Sequence, residues 1–280
     1  MAAFGALSLA AAFQTRFRTS KEVHPAIALA ERGLPAPTGA ASEPAPKKKG
    51  HMILLLFLLT LAIGLLAQWH VKQTYARHSR TPTAGGYTGA EAAQAILREA
   101  GINDVSLYEH EELLGDHYDP KRKRLVLSSA NYHGTSAAAL GVAAHECGHA
   151  MQHQQAYAPL EMRMAAVGIT SFASQLVMWI PLLGMFTGLL APKVGLLLMA
   201  VAWGILMAFN LITLPVEFDA SRRAKLVLAN MGFIQRGPEA AAVNQVLNAA
   251  AWTYVAAFIS SAIYFLWYLL PLLTGGRRRD

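Results

Sequence analysis

Residues 165–220 read AAVGITSFASQLVMWIPLLGMFTGLLAPKVGLLLMAVAWGILMAFNLITLPVEFDA. Two apolar runs, 165–190 and 194–214, are joined only by Ala191, Pro192 and Lys193, and neither run carries a charged side chain. A helix rising 1.5 Å per residue needs about 20 residues to cross the roughly 30 Å hydrocarbon core of a bilayer. Both runs are long enough, and so short a link permits only a hairpin. The chain after Leu214 therefore returns to the side of the membrane from which it entered.

Outward from this hairpin, two further uncharged runs occur at 52–69 and 250–273. Overall composition agrees: 54% of residues are hydrophobic and 15% charged, an unusual mixture for a water-soluble fold. The expectation is a mainly α integral membrane protein with about four transmembrane helices, at 52–69, within 164–214 and at 250–273. The water-compatible remainder divides into a lobe over 70–163, a segment and helix over 215–249, and a basic tail over 274–280. Residues 1–51 are rich in Ala, Pro and Gly and read as a disordered extension. Met52 stands just before the first apolar run and is a candidate start.

The net charge of +7 collects near the ends of the apolar runs, at Lys47 to Lys49, Arg163, Lys193, Arg222, Arg223 and Arg277 to Arg279. That placement fits a lipid bilayer as partner and argues against nucleic acid. One cysteine, Cys147, excludes an internal disulfide. The spans hold no acid, base or histidine, which argues against a proton or ion transporter.

Within the lobe, Thr88 and Glu91 have capping-box spacing and open a helix ending at Gly101. Weak alternation makes 104–109 a strand, DHYDPKRK a turn, and RLVLS (124–128) a second strand. The Pro-free, Ala-rich run 137–155 is a helix, and it contains AHECGHAMQH at 144–153. On a helix, His145 and His149 share a face and can aim two imidazole nitrogens at one point, with Glu146 beside them. Two neutral imidazoles with an adjacent glutamate are the apparatus of a zinc hydrolase, the glutamate taking a proton from water. His153 lies eight residues from His145, about 12 Å along the axis, too far to join the same ion. A third ligand must come from elsewhere on the same membrane side. There the hairpin delivers an acidic pair, Glu217 and Asp219.

AAHECGHAMQH, the upstream DHYDP, LPVEFDASRRA and VLNAAAWTYVAA together resemble the YugP-like membrane zinc metallopeptidases, distant relatives of the HtpX and CAAX-processing membrane proteases. The resemblance covers residues 52–273. It implies a small α+β zincin-like catalytic lobe of gluzincin type. One Zn2+ would be held by His145, His149 and Glu217, with Glu146 as general base. Asp219 stays the reserve third ligand. HtpX-type relatives place an Asp four residues after the ligand Glu; here that position is Ser221, a weaker neutral acceptor for a ligand imidazole. The resemblance also implies a protein or peptide substrate, membrane-associated, laid along RLVLS as an added strand.

His133, Tyr132, Tyr254 and Arg223 are candidate donors to the oxyanion. Asn248, Thr253 and Tyr254 open the fourth run and read chiefly as interfacial anchors. Gly184 with Gly188 has the spacing of a close helix contact, and Gly168 and Gly204 are further small positions. Seven basic residues flank each membrane side, and a start at Met52 removes three from the side opposite the lobe. That, with the lean of the relatives, places the protein in the cell (inner) membrane as a multi-pass chain with a cytoplasmic lobe. The competing reading is a non-enzymatic membrane protein whose zinc is structural.

Overall fold

A computed structural model describes residues 47–111, 115–187 and 190–274. In chain order the elements are α1 (Lys47–His78), α2 (Gly89–Glu99), β1 (Ser106–His110), β2 (His117–Asp119), β3 (Arg124–Ser128), α3 (Ser129–Tyr132), α4 (Ala137–Gln154), α5 (Ala158–Thr187), α6 (Pro192–Asn230) and α7 (Pro238–Thr274). The protein is mainly helical, with a small three-stranded mixed sheet. Four of its helices are long and apolar enough to cross a membrane: His51–His78, Ala158–Gly184, Pro192–Asn230 and Pro238–Thr274. The chain divides into a unit ending at Phe57 and a second from Leu58 onward. Of the expected disordered extension over 1–51, residues 1–46 lie outside the described residues, and 47–51 are helical, forming the start of α1.

The membrane helices run past the apolar stretches that announce them. α6 continues through Pro215 to Asn230, and α7 begins at Pro238, so the segment read as 215–249 is the far ends of two long helices joined by a turn. Backbone bonds depend on the local chain, whereas hydropathy depends on surroundings; a helix need not stop where lipid does. The overhanging ends complete the core of the lobe. Ala224 and Leu228 of α6 and Val243 and Leu247 of α7 join Ile96, Leu125, Leu127, Leu140 and Ala144 in one buried cluster. Each large aliphatic side chain so buried contributes about 1.5–3 kcal/mol.

Local signals explain the smaller elements. The Thr88 hydroxyl accepts from the Glu91 amide while the Glu91 carboxylate accepts from the Thr88 amide, the capping box expected from the spacing. α4 opens on Ser136, whose hydroxyl accepts from the Ala139 amide. Its many alanines let partners crowd it from several sides, against α2, α6 and α7. The stretch read as a turn contains β2, which pairs antiparallel with β3. Three residues carry too little alternation to announce a strand.

The sheet order is β1-β3-β2, with β1 parallel to β3. RLVLS is therefore the central strand, and the expectation that it offers an edge to substrate is overturned: β1 pairs along its whole length and β2 along Arg124 to Val126. Just beyond β2, Asp116 accepts from the Ser128 amide and from Asn131, and Asn131 in turn accepts from the Tyr75 hydroxyl of α1.

Among the membrane helices, a Cβ added at Gly168 or Gly184 would meet nothing within 4 Å, so neither marks a tight crossing; Gly188 lies outside the described residues. Close approach occurs instead at Gly204, where a Cβ would stand 3.1 Å from the Phe265 ring of α7. Polar pairs add to this packing: Asn210 donates to Ser261, and Thr60 shares a hydrogen bond with Tyr264.

Candidate metal centre

α4 and α6 cross with their backbones almost touching. A Cβ on Gly148 would sit 2.7 Å from the Ala220 carbonyl oxygen and 3.1 Å from its Cα. Gly148 occupies a variable position of the motif, yet only a residue without a side chain admits α6 there. The crossing brings His149 next to the α6 turn that carries Glu217 and Ser221. Alanine normally stabilises a helix interior by about 1 kcal/mol over glycine. At this site Gly148→Ala is expected to reverse that sign, costing about 1–3 kcal/mol through overpacking and lowering zinc content. Thermal unfolding and metal analysis check it; a variant as stable and as zinc-loaded as wild type would contradict the close crossing.

Three side chains converge at the crossing. His145 Nε2 lies 3.3 Å and His149 Nε2 3.7 Å from Glu217 Oε2. One donor atom from each residue falls within 4.8 Å of the others, the spread a small cation needs. Glu217 is 2% exposed, and its Oε2 is buried without a hydrogen-bond partner. A buried carboxylate oxygen left unbonded is costly. Here it faces two imidazole nitrogens, as a metal ligand does. Burial disfavours a charged His149, but the neighbouring Glu217 outweighs it and holds the His149 pKa above the usual histidine value. The site attracts positive charge. Two imidazole nitrogens and one carboxylate oxygen form a donor set that would suit zinc.

Each of the three side chains is held from behind. The Gln152 amide donates to the Val216 carbonyl at 2.8 Å and to Asp219 at 3.0 Å, so its Oε1 is left to accept from His149 Nδ1, 3.0 Å away. That hydrogen bond puts the proton on Nδ1 and leaves Nε2 free to ligate. His145 Nδ1 is 3.2 Å from the Ser221 hydroxyl, a neutral group placed to orient that imidazole. Arg163 of α5 donates to Glu217 Oε1 at 2.8 Å.

Residues 53–274 match the family model described as "Putative neutral zinc metallopeptidase". The chain belongs to this zinc metallopeptidase family. It is 42% identical over 226 residues to the "Putative membrane protease YugP" of Bacillus subtilis (strain 168), covering 80% of this chain and 98% of that protein. No solved structure matches.

Other residues singled out in the sequence stand outside the donor cluster. Asp219 is engaged by Gln152, Arg222 and Arg223 and stands outside the donor cluster. His153 Nδ1 pairs with the Tyr118 hydroxyl, whose own pKa burial pushes up to about 12, and so ties α4 to β2. Cys147 is buried against the Ala93 carbonyl, and burial raises its thiol pKa. Among the oxyanion candidates, His133 pairs with Glu109 and meets Tyr132 edge-on, and Arg223 binds Asp219 and Gln155. Tyr254 of α7 adjoins Glu217 and Glu146. Asn248 accepts from Lys225, the Thr253 hydroxyl donates to the Ala250 carbonyl within its own helix, and Trp252 is 59% exposed.

Sequence reading missed Gly148, Gln152 and the partner of Arg163. Gln152 sits three residues after His149 on the same helix face, a usable signal. Arg163 was legible only as a charge flanking a span.

Proposed function

We propose that the chain is a membrane-embedded zinc endopeptidase, with His145, His149 and Glu217 holding one zinc ion and Glu146 as general base. The observation that carries this is the convergence of three donor atoms from α4 and α6 on one buried point, with Glu217 Oε2 otherwise unpartnered. Zinc bound there supplies a Lewis acid for the scissile carbonyl and brings the pKa of water towards neutrality.

Glu146 follows His145 in the chain, acts electrostatically on His149, and is 8% exposed. It takes a proton from the attacking water and passes it to the leaving amine. Tyr254, beside Glu217 and Glu146, is the candidate donor to the oxygen of the carbonyl. Gln152 and Ser221 keep the imidazoles turned with Nε2 inward.

Glu217 lies only three residues beyond the apolar run 194–214, about 4.5 Å along the helix, so the site sits close to the lipid boundary. This supports a membrane-associated polypeptide as substrate. An extended substrate has the outer edges of β1 and β2 to pair with, and β2 is the one tied to α4. The four long apolar helices support a multi-pass protein of the cell membrane, and the family resemblance favours a lobe in the cytoplasm.

Purified wild-type protein is expected to carry one zinc per chain and to cleave a fluorogenic casein. Extraction with 1,10-phenanthroline should lower cleavage by roughly tenfold or more, and added zinc should restore it. Cleavage that persists after complete metal removal would sink the reading.

A further inference from the structure

We propose that Arg163 is a positioning residue of the metal centre, holding one oxygen of Glu217 so that the other is aimed at the ion; the proposal rests on the zinc reading above. Arg163 stands at the mouth of the apolar run 165–190, where basic side chains ordinarily reach outward to water. This one turns inward. Its side chain is 29% exposed, and its guanidinium donates to Glu217 Oε1 at 2.8 Å, across from α5 to α6.

The carboxylate is thereby divided between two tasks. Oε1 faces Arg163, and Oε2, buried and without a hydrogen-bond partner, faces His145 Nε2 and His149 Nε2. A glutamate has three side-chain torsions, and the last decides which oxygen faces the histidines. With Oε1 pinned, rotation of the carboxyl group about that torsion is blocked, and a single-oxygen ligand is pre-set. His145 has Ser221 behind it, His149 has Gln152, and Glu217 has Arg163. The first two partners lie on α6 and α4 themselves. The third comes from the first leg of the membrane hairpin, so the aim of the acid depends on how α5 packs against α6 in the bilayer.

Positioning and simple electrostatics predict opposite signs. Arg163 brings a positive charge close to the place of a divalent cation. If that charge were all that mattered, removing it would tighten zinc binding. If Arg163 aims Glu217, removal loosens it, and second-layer partners of metal ligands commonly change affinity by about 10–100-fold.

The test is zinc affinity of the full chain in nanodiscs, measured by competition with a chromophoric chelator, for wild type, Arg163→Met and Arg163→Lys. Thermal unfolding of the zinc-free forms is followed alongside. The expected result is zinc binding at least about tenfold weaker in Arg163→Met, with Arg163→Lys between it and wild type, because lysine keeps the charge but lacks the fork. Affinity equal to or tighter than wild type in Arg163→Met overturns the proposal. Should Arg163→Met fail to fold, Arg163→Lys decides by the same rule: weaker binding supports the role and unchanged binding removes it. A wild-type protein that takes up no zinc overturns the zinc reading itself, and the proposal with it.

Discussion

Glu146→Gln is expected to reduce peptide cleavage by about a thousandfold while leaving zinc content at the wild-type level; a positioned general base contributes roughly 10²–10⁴-fold. The substitution is nearly isosteric. It removes the one property that matters for the proposed role, a carboxylate able to accept and return a proton. Glu146 is buried beside His149 but outside the donor cluster, so the metal loses no ligand. Paired measurements of zinc stoichiometry and turnover on the same preparation are needed, because lost activity alone would equally follow from lost metal. Full zinc with near-normal turnover would sink the general-base role. Full zinc in both proteins, with no cleavage by wild type of casein or of membrane-inserted polypeptides, would favour a structural ion.

The helical frame was legible because its signal is long and redundant. Runs of about 20 uncharged residues leave a chain few alternatives, and four of them appear as long helices. The two histidines were legible because a four-residue step on a helix fixes their relation without reference to the rest of the fold. Glu217 was narrowed by topology and then singled out by resemblance; the structure brings its Oε2 to both histidines and leaves Asp219 to Gln152 and two arginines.

What escaped the sequence depends on partners distant in the chain. β2 exists only because β3 pairs with it, and the central position of RLVLS is a statement of sheet order that no single strand encodes. Gly148 looks like any helical glycine until Ala220 is placed against it. The continuation of α6 and α7 into the lobe was hidden because hydropathy reports lipid contact and says nothing about where a helix ends. That continuation is also what makes the site possible: it carries Glu217 and Ser221 beyond the apolar run on a continuous helix packed against α4.

The place of Glu217 on that helix gives the second large prediction. Glu217→Gln is expected to weaken zinc binding by at least about 100-fold, beyond the 10–100-fold typical of losing an outer partner alone. Glutamine keeps the shape and can still accept from Arg163, so packing between α5 and α6 should survive and thermal unfolding of the zinc-free protein should change little. Alanine is the poorer probe, since it leaves a cavity and an unpaired guanidinium. Asp219→Asn is the matched control. Its oxygens already serve Gln152, Arg222 and Arg223, so it should disturb the orientation of His149 only indirectly and retain most of the zinc. If Glu217→Gln kept its zinc and Asp219→Asn lost it, the ligand assignment would pass to Asp219. The pairing of Arg163 with Glu217 would then be an ordinary ion pair bracing the base of the membrane hairpin.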